Sequence, residues 1–180
     1  MPIKVAAPVK LAAPSPWAAR IDVPQITQEQ TEWCWAACAQ MVLCYYGNKA
    51  VHQCDLASRL FGQPCCKDPS SALCNEPAQV PDIASIYTDW KRPSMPKYVH
   101  GNVPFQTLQD EINAKRPVEV GFTWNDGTGH QAIICGWDID GTGPLLLVND
   151  PRWGSGAVYY ANLVIAYGWG SWEHTWTSIT

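Results

Sequence analysis

The sequence predicts an α+β fold in one domain. Three observations carry this. Helix-spaced apolar residues run through the first part of the chain, and two-residue alternation takes over after Pro117. The composition, 47% hydrophobic against 16% charged over 180 residues, is enough to bury one sizeable core. The formal charge of −4 is not gathered into blocks, so no basic patch marks a nucleic-acid partner. No run of ~18 apolar residues could span a bilayer, so no membrane partner is expected either.

Residues 1–20 are rich in Ala and Pro and carry no periodicity. They read as a flexible leader ahead of a domain over 21–180. Lys4, Lys10 and several prolines interrupt any apolar core that a secretory signal would need. Ile21 to Thr27 reads as extended chain. Thr31 to Gly47 reads as a helix: Thr31 suits the N-cap, Gly47 the left-handed position past the end, and nothing between them breaks the pattern. Its apolar stripe is Trp35, Cys38, Val42 and Tyr45.

Gln53 to Phe61 has helical spacing and stops at Gly62. Pro81 to Trp90 follows, with Ile83, Ile86 and Trp90 in register. Pro104 to Lys115 is a third such segment, with Pro104 as its first residue and Phe105, Leu108 and Ile112 on its apolar side. Val118, Val120 and Phe122 then alternate with Glu119, Gly121 and Thr123 as a strand. Gln131 to Trp137, Leu145 to Val148, Gly156 to Tyr160 and Trp172 to Ile179 read as further strands.

Eight cysteines stand at positions 34, 38, 44, 54, 65, 66, 74 and 135. Cys54, Cys65, Cys66 and Cys74 share a turn-rich segment with His52. A zinc site there conflicts with the adjacent pair, because structural zinc sites space their paired cysteines by two to four residues. Two disulfides suit the pattern better. Cys66–Cys74 and Cys54–Cys65 is the pairing taken as a starting point. Disulfides in turn imply an oxidising destination, secreted or otherwise outside the producing cell.

Cys34 lies in the first turn of the predicted helix, where unpaired N–H groups and the helix dipole favour an anion. A thiol there gains thiolate character. Read alone, Cys34 suits a small core hydrophobe as well as a nucleophile. A nucleophilic cysteine also needs a base, a group that orients the base, and oxyanion donors. His52, His100 and His174 read as surface or packing residues, with His100 in a polar loop. His130 opens a strand after the turn Asn125 to Gly129, so its ring can face another element. Asn149 and Asp150 end a later strand. Neighbours on a strand point to opposite faces, so only one of them can reach His130.

Cys34-Trp35-Ala36 resembles the C-W-A that opens the central helix of papain-like cysteine proteases. GHQAIICGWD resembles the histidine motif of that family. WCWAAC, with Asp150-Pro151, is most similar to the bacterial AvrRpt2-type and C39-like papain-fold peptidases. The resemblance covers roughly Gln25 to the C-terminus. It implies a helical part holding the nucleophile, packed on a twisted antiparallel sheet holding the base.

It further implies catalytic roles for Cys34, His130 and Asp150, with Asn149 as the alternative orienter. Gln28, six residues before Cys34, matches the oxyanion glutamine. Trp153 would shield the orienter. No metal and no cofactor are implied. The implied activity is peptide-bond hydrolysis on a protein or peptide substrate, in the setting of an exported bacterial effector or toxin. The competing readings are a thiol amidase acting on peptidoglycan and a catalytically idle binding module of the same fold.

Overall fold

A computed structural model describes residues 19–90 and 95–180. Residues 1–18 of the expected leader lie outside the described residues, and its last two, Ala19–Arg20, form a short strand, β1. Helices α1 (Cys34–Tyr45), α2 (Gln53–Phe61) and α3 (Val80–Asp89) follow. After strand β2 (Lys97–His100) and helix α4 (Phe105–Asn113) come strands β3 (Val118–Trp124), β4 (Gly129–Asp140), β5 (Gly143–Asp150) and β6 (Gly154–Tyr159). Helix α5 (Tyr160–Val164), a tight turn over Ala166–Gly168 and strand β7 (Gly170–Thr177) complete the chain. The strands pair antiparallel in the order β2-β7-β3-β4-β5-β6, and β1 pairs with β4 beyond the end of β3.

Helix α1 lies against β4, α2 and α3. Every residue from Trp35 to Leu43 is buried, so the helix is enclosed on all sides rather than along one stripe. Its C-terminus is a Schellman motif: Asn48 N–H bonds the Leu43 carbonyl, Gly47 N–H bonds that of Cys44, and Gly47 takes φ 94°. The N-terminus corrects the expected cap. The helix starts at Cys34, so Thr31 sits too early to reach it, and its hydroxyl accepts a bond from the Asn75 amide instead. Pro104 likewise is the extended residue before α4 rather than its first residue.

The two expected disulfides are present, but their pairing is corrected to Cys54–Cys66 and Cys65–Cys74. The reason is orientation. Cys65 is buried and turns inward to the buried Cys74, while Cys66 is exposed and turns outward to Cys54 at the start of α2. His100, expected in a loop, closes the edge strand β2. Tyr160, expected at the end of a strand, opens α5.

Both faces of β3 are buried, Glu119 included. Its carboxylate accepts a hydrogen bond from Tyr87 on α3. Burial raises this carboxyl to about 8 despite that bond, so it is held neutral beneath α1.

Candidate active site

The chain reaches Cys34 through a loop fastened on several sides. A buried pair of glutamines holds its middle. Gln53 donates to the Thr27 carbonyl and accepts from Glu29 N–H, and it also donates to Gln40, which in turn donates to the Val51 carbonyl. The Cys-rich segment holds its end: the Trp33 indole donates to the Cys74 carbonyl at 2.7 Å, and the Trp35 indole to the Glu76 carbonyl at 3.1 Å. The first bond of the α1 ladder runs from Ala37 N–H to Trp33 C=O, so Cys34 N–H lies outside the ladder.

Opposite, at the start of β4, stands His130. Its ring is close enough to the Cys34 thiol for the two groups to act on each other's charge. Its Nε2 lies 2.9 Å from Oδ1 and 3.0 Å from Oδ2 of Asp150, which leaves Nδ1 for the thiol. His130 is 5% exposed and Asp150 3%, so the pair is shut off from bulk water. Burial alone would lower the His130 pKa. The bond to Asp150, the neighbouring Cys34 thiol and the charges of both outweigh it and raise it to about 9. The histidine therefore carries its proton at neutral pH.

Asp150 is the one of the two neighbours that reaches the histidine. Its Oδ1 also accepts from Arg152 N–H at 2.8 Å and Trp153 N–H at 3.1 Å, while its Oδ2 accepts from the Tyr167 hydroxyl at 3.4 Å. Asn149 points to the other side of the sheet. There its amide donates to the Val23 carbonyl at 2.9 Å, and its Oδ1 accepts from Ser155. Gln25 binds the Asp150 carbonyl at 2.8 Å, and Gln28 N–H binds that of Pro151 at 3.0 Å. The loop before the thiol is thus tied directly to the strand end that carries the carboxylate.

Rings surround the histidine. Trp153, expected to shield Asp150, donates its N–H to that carboxylate and has its ring centre 5.0 Å from that of His130, and Trp124 lies 5.7 Å from His130 on a nearly parallel plane. Gln28 sits in the loop, but its amide donates to the carbonyls of Gln30 and Thr31, both at 2.8 Å. Its Oε1 is buried with no partner among the described residues. As an oxyanion donor it would have to give up one of those carbonyls to the substrate.

Cys38, one turn beyond Cys34, is fully buried. Burial, and then the Glu119 and Cys34 charges, raise its pKa well above the usual thiol value. It is a core thiol. His52, His100 and His174 lie elsewhere: His52 before α2, and the other two together on the β2–β7 pair. Sequence reasoning missed Gln25, Trp124 and Tyr167, whose roles depend on contacts across the fold.

Residues 20–179 match the Peptidase_C39 like family. The chain belongs to that family. A search among curated protein sequences found no match. Solved structures of the same fold include the peptidase domain of Streptococcus ComA, a bifunctional ABC transporter of a quorum-sensing pathway. It is 12% identical with a TM-score of 0.61, over 88% of this chain and 99% of that one. A double glycine motif protease from an AMS/PCAT transporter, solved in complex with a leader peptide, is 19% identical with a TM-score of 0.51, over 89% and 95%. The digestive procathepsin L 3 of the Tenebrio molitor larval midgut is 12% identical with a TM-score of 0.53, over 92% and 71%. This C39-like chain is therefore a papain-like cysteine peptidase, built as the expected helical part on an antiparallel sheet.

Proposed function

We propose that this peptidase hydrolyses peptide bonds through Cys34, His130 and Asp150, acting on a protein or peptide substrate outside the producing cell. The observation that carries the reading is the buried His130 ring, hydrogen-bonded through Nε2 to Asp150 and under the influence of the Cys34 thiol. At rest the thiol proton already sits on Nδ1 as a thiolate–imidazolium pair, and Asp150 holds the Nε2 hydrogen and stabilises the imidazolium. The thiolate attacks the carbonyl carbon. Cys34 N–H, joined by the Gln28 amide, binds the developing oxyanion. The imidazolium then protonates the leaving amine, and His130 activates the water that hydrolyses the thioester. Two disulfides favour an oxidising destination and hence export as an effector or toxin.

The test is cleavage of denatured casein and, separately, of purified peptidoglycan by the wild type and by Cys34→Ala. Casein cleavage that vanishes in Cys34→Ala supports the reading. Peptidoglycan cleavage alone would make the protein a cell-wall amidase, and no cleavage of either would mark a binding module. Residual hydrolysis by Cys34→Ala removes the thiol from the chemistry.

A further inference from the structure

Tyr167 is held in an unusual place. It is the middle of three successive residues in the left-handed region: Ala166 at φ 42°, Tyr167 at 56° and Gly168 at 88°. The turn is closed by Gly168 N–H to the Ile165 carbonyl at 2.8 Å and Trp169 N–H to the Ala166 carbonyl at 3.0 Å. Left-handed backbone is ordinary for Gly168 but unfavourable for Ala and for a bulky aromatic residue. Such strain persists only where the surroundings impose it, and it gathers at functional sites. Here the surroundings are three rings, with Phe122, Trp153 and Trp124 centred 5.7, 5.9 and 6.4 Å from the Tyr167 ring. The strand after the turn starts where only glycine fits, since a Cβ on Gly170 would lie 2.1 Å from the Thr123 carbonyl oxygen.

What the strained turn delivers is a hydroxyl at Asp150. Both backbone donors to the carboxylate, Arg152 N–H and Trp153 N–H, go to Oδ1. A carboxylate fastened at one oxygen can still pivot about it. The Tyr167 hydroxyl reaches the other, Oδ2. Burial, and then the charge of Asp150 and the bond to it, push the Tyr167 pKa upward, so the phenol stays a donor.

We propose that Tyr167 is a positioning residue of this site: its hydroxyl fixes Oδ2 of Asp150, so that the carboxylate stays aimed at Nε2 of His130. The proposal rests on the catalytic roles given above to Cys34, His130 and Asp150. The strained turn is the device that brings the phenol to the carboxylate, and the surrounding rings keep water from taking its place.

The test is Tyr167→Phe, which keeps the ring and its packing and removes one oxygen. We expect kcat on casein to fall roughly 3- to 10-fold, the scale of one hydrogen bond, with KM unchanged. The alkaline limb of the pH profile should move to lower pH, because a loosened carboxylate holds the imidazolium less well. The His130 ring protons, followed by NMR, should titrate at lower pH in the same variant, and this readout needs no substrate. In an Asp150→Asn background the Tyr167→Phe change should cost nothing further. A Tyr167→Phe protein with the kcat, pH profile and His130 titration of the wild type overturns the role of Tyr167 while leaving the thiol mechanism standing. Hydrolysis by Cys34→Ala in the same assay overturns both.

Discussion

On the helix side of the site, Cys34 is carried by a helix enclosed along nine residues, and the indoles of Trp33 and Trp35 bond the carbonyls of Cys74, in the Cys65–Cys74 bridge, and of Glu76 just beyond it. On the sheet side, His130 and Asp150 stand at strand ends and are aimed by a few hydrogen bonds. The first arrangement is redundant. Many small contacts share the task, so deleting one costs stability before it moves the thiol. The second is not. Each donor to Asp150 fixes one direction, and the low dielectric around a 3% exposed carboxylate makes each bond count. Changes on the sheet side should therefore cost turnover, and changes beneath the helix should cost stability.

Asp150→Asn gives the largest effect and bears most directly on this contrast. The amide keeps the shape and loses the charge, so turnover should fall on the order of 10³–10⁴-fold with the circular dichroism unchanged. The pH dependence should follow. A histidine raised to about 9 contributes stability fully below its unfolded value of ~6.5, and loses it as pH rises through 9. Without the carboxylate that alkaline loss should begin at lower pH, in both activity and melting temperature. If Asn149→Ala proved the more damaging to turnover, the orienter would have been misassigned.

Gln28→Ala is intermediate and blurs the contrast in an instructive way. Loss of one oxyanion donor costs ~100-fold in turnover. Because the Gln28 amide also bonds the Gln30 and Thr31 carbonyls, the variant should melt at lower temperature too. A lower melting point with full turnover would make Gln28 a loop brace only.

Glu119→Gln should do least to catalysis. Held neutral up to about 8, Glu119 binds its proton in the fold while the unfolded chain releases it above ~4.3, so it costs stability increasingly between those values. The glutamine can still accept from Tyr87 and has no proton to lose. Its melting temperature should match the wild type near pH 5 and exceed it by several degrees near pH 8, at unchanged kcat. A melting curve with the same pH dependence as the wild type would show that Glu119 is charged in the fold.

Much of this was legible in the residues. Apolar spacing and Gly62 gave both ends of α2, and alternation gave the start of β3 at Val118. The motifs around Cys34 and His130, with Asp150-Pro151, pointed to three side chains that do meet. The choice of Asp150 over Asn149 needed the sheet, because the face each takes depends on how β5 lies between β4 and β6. The disulfide pairing needed the core, since only burial distinguishes Cys65 from Cys66. Tyr167 left no signal at all. Its place follows from three left-handed residues, and nothing in Ala-Tyr-Gly announces a turn that only its neighbours can enforce.

The strap from Ile21 to Gln28 has a consequence in time as well as in space. It is fastened at Val23 to Asn149 and at Gln25 to Asp150, contacts 126 and 125 residues apart in sequence. Such contacts close very long loops, and they form after local helices and hairpins. Helix α1, with Cys34, can be complete while His130 and Asp150 are still unplaced. Under the mechanism proposed above, hydrolysis therefore waits for these long-range contacts. During synthesis a ribosome must release β5 before Asp150 can meet His130. A peptidase assembled in that order spends its growing phase unable to cut.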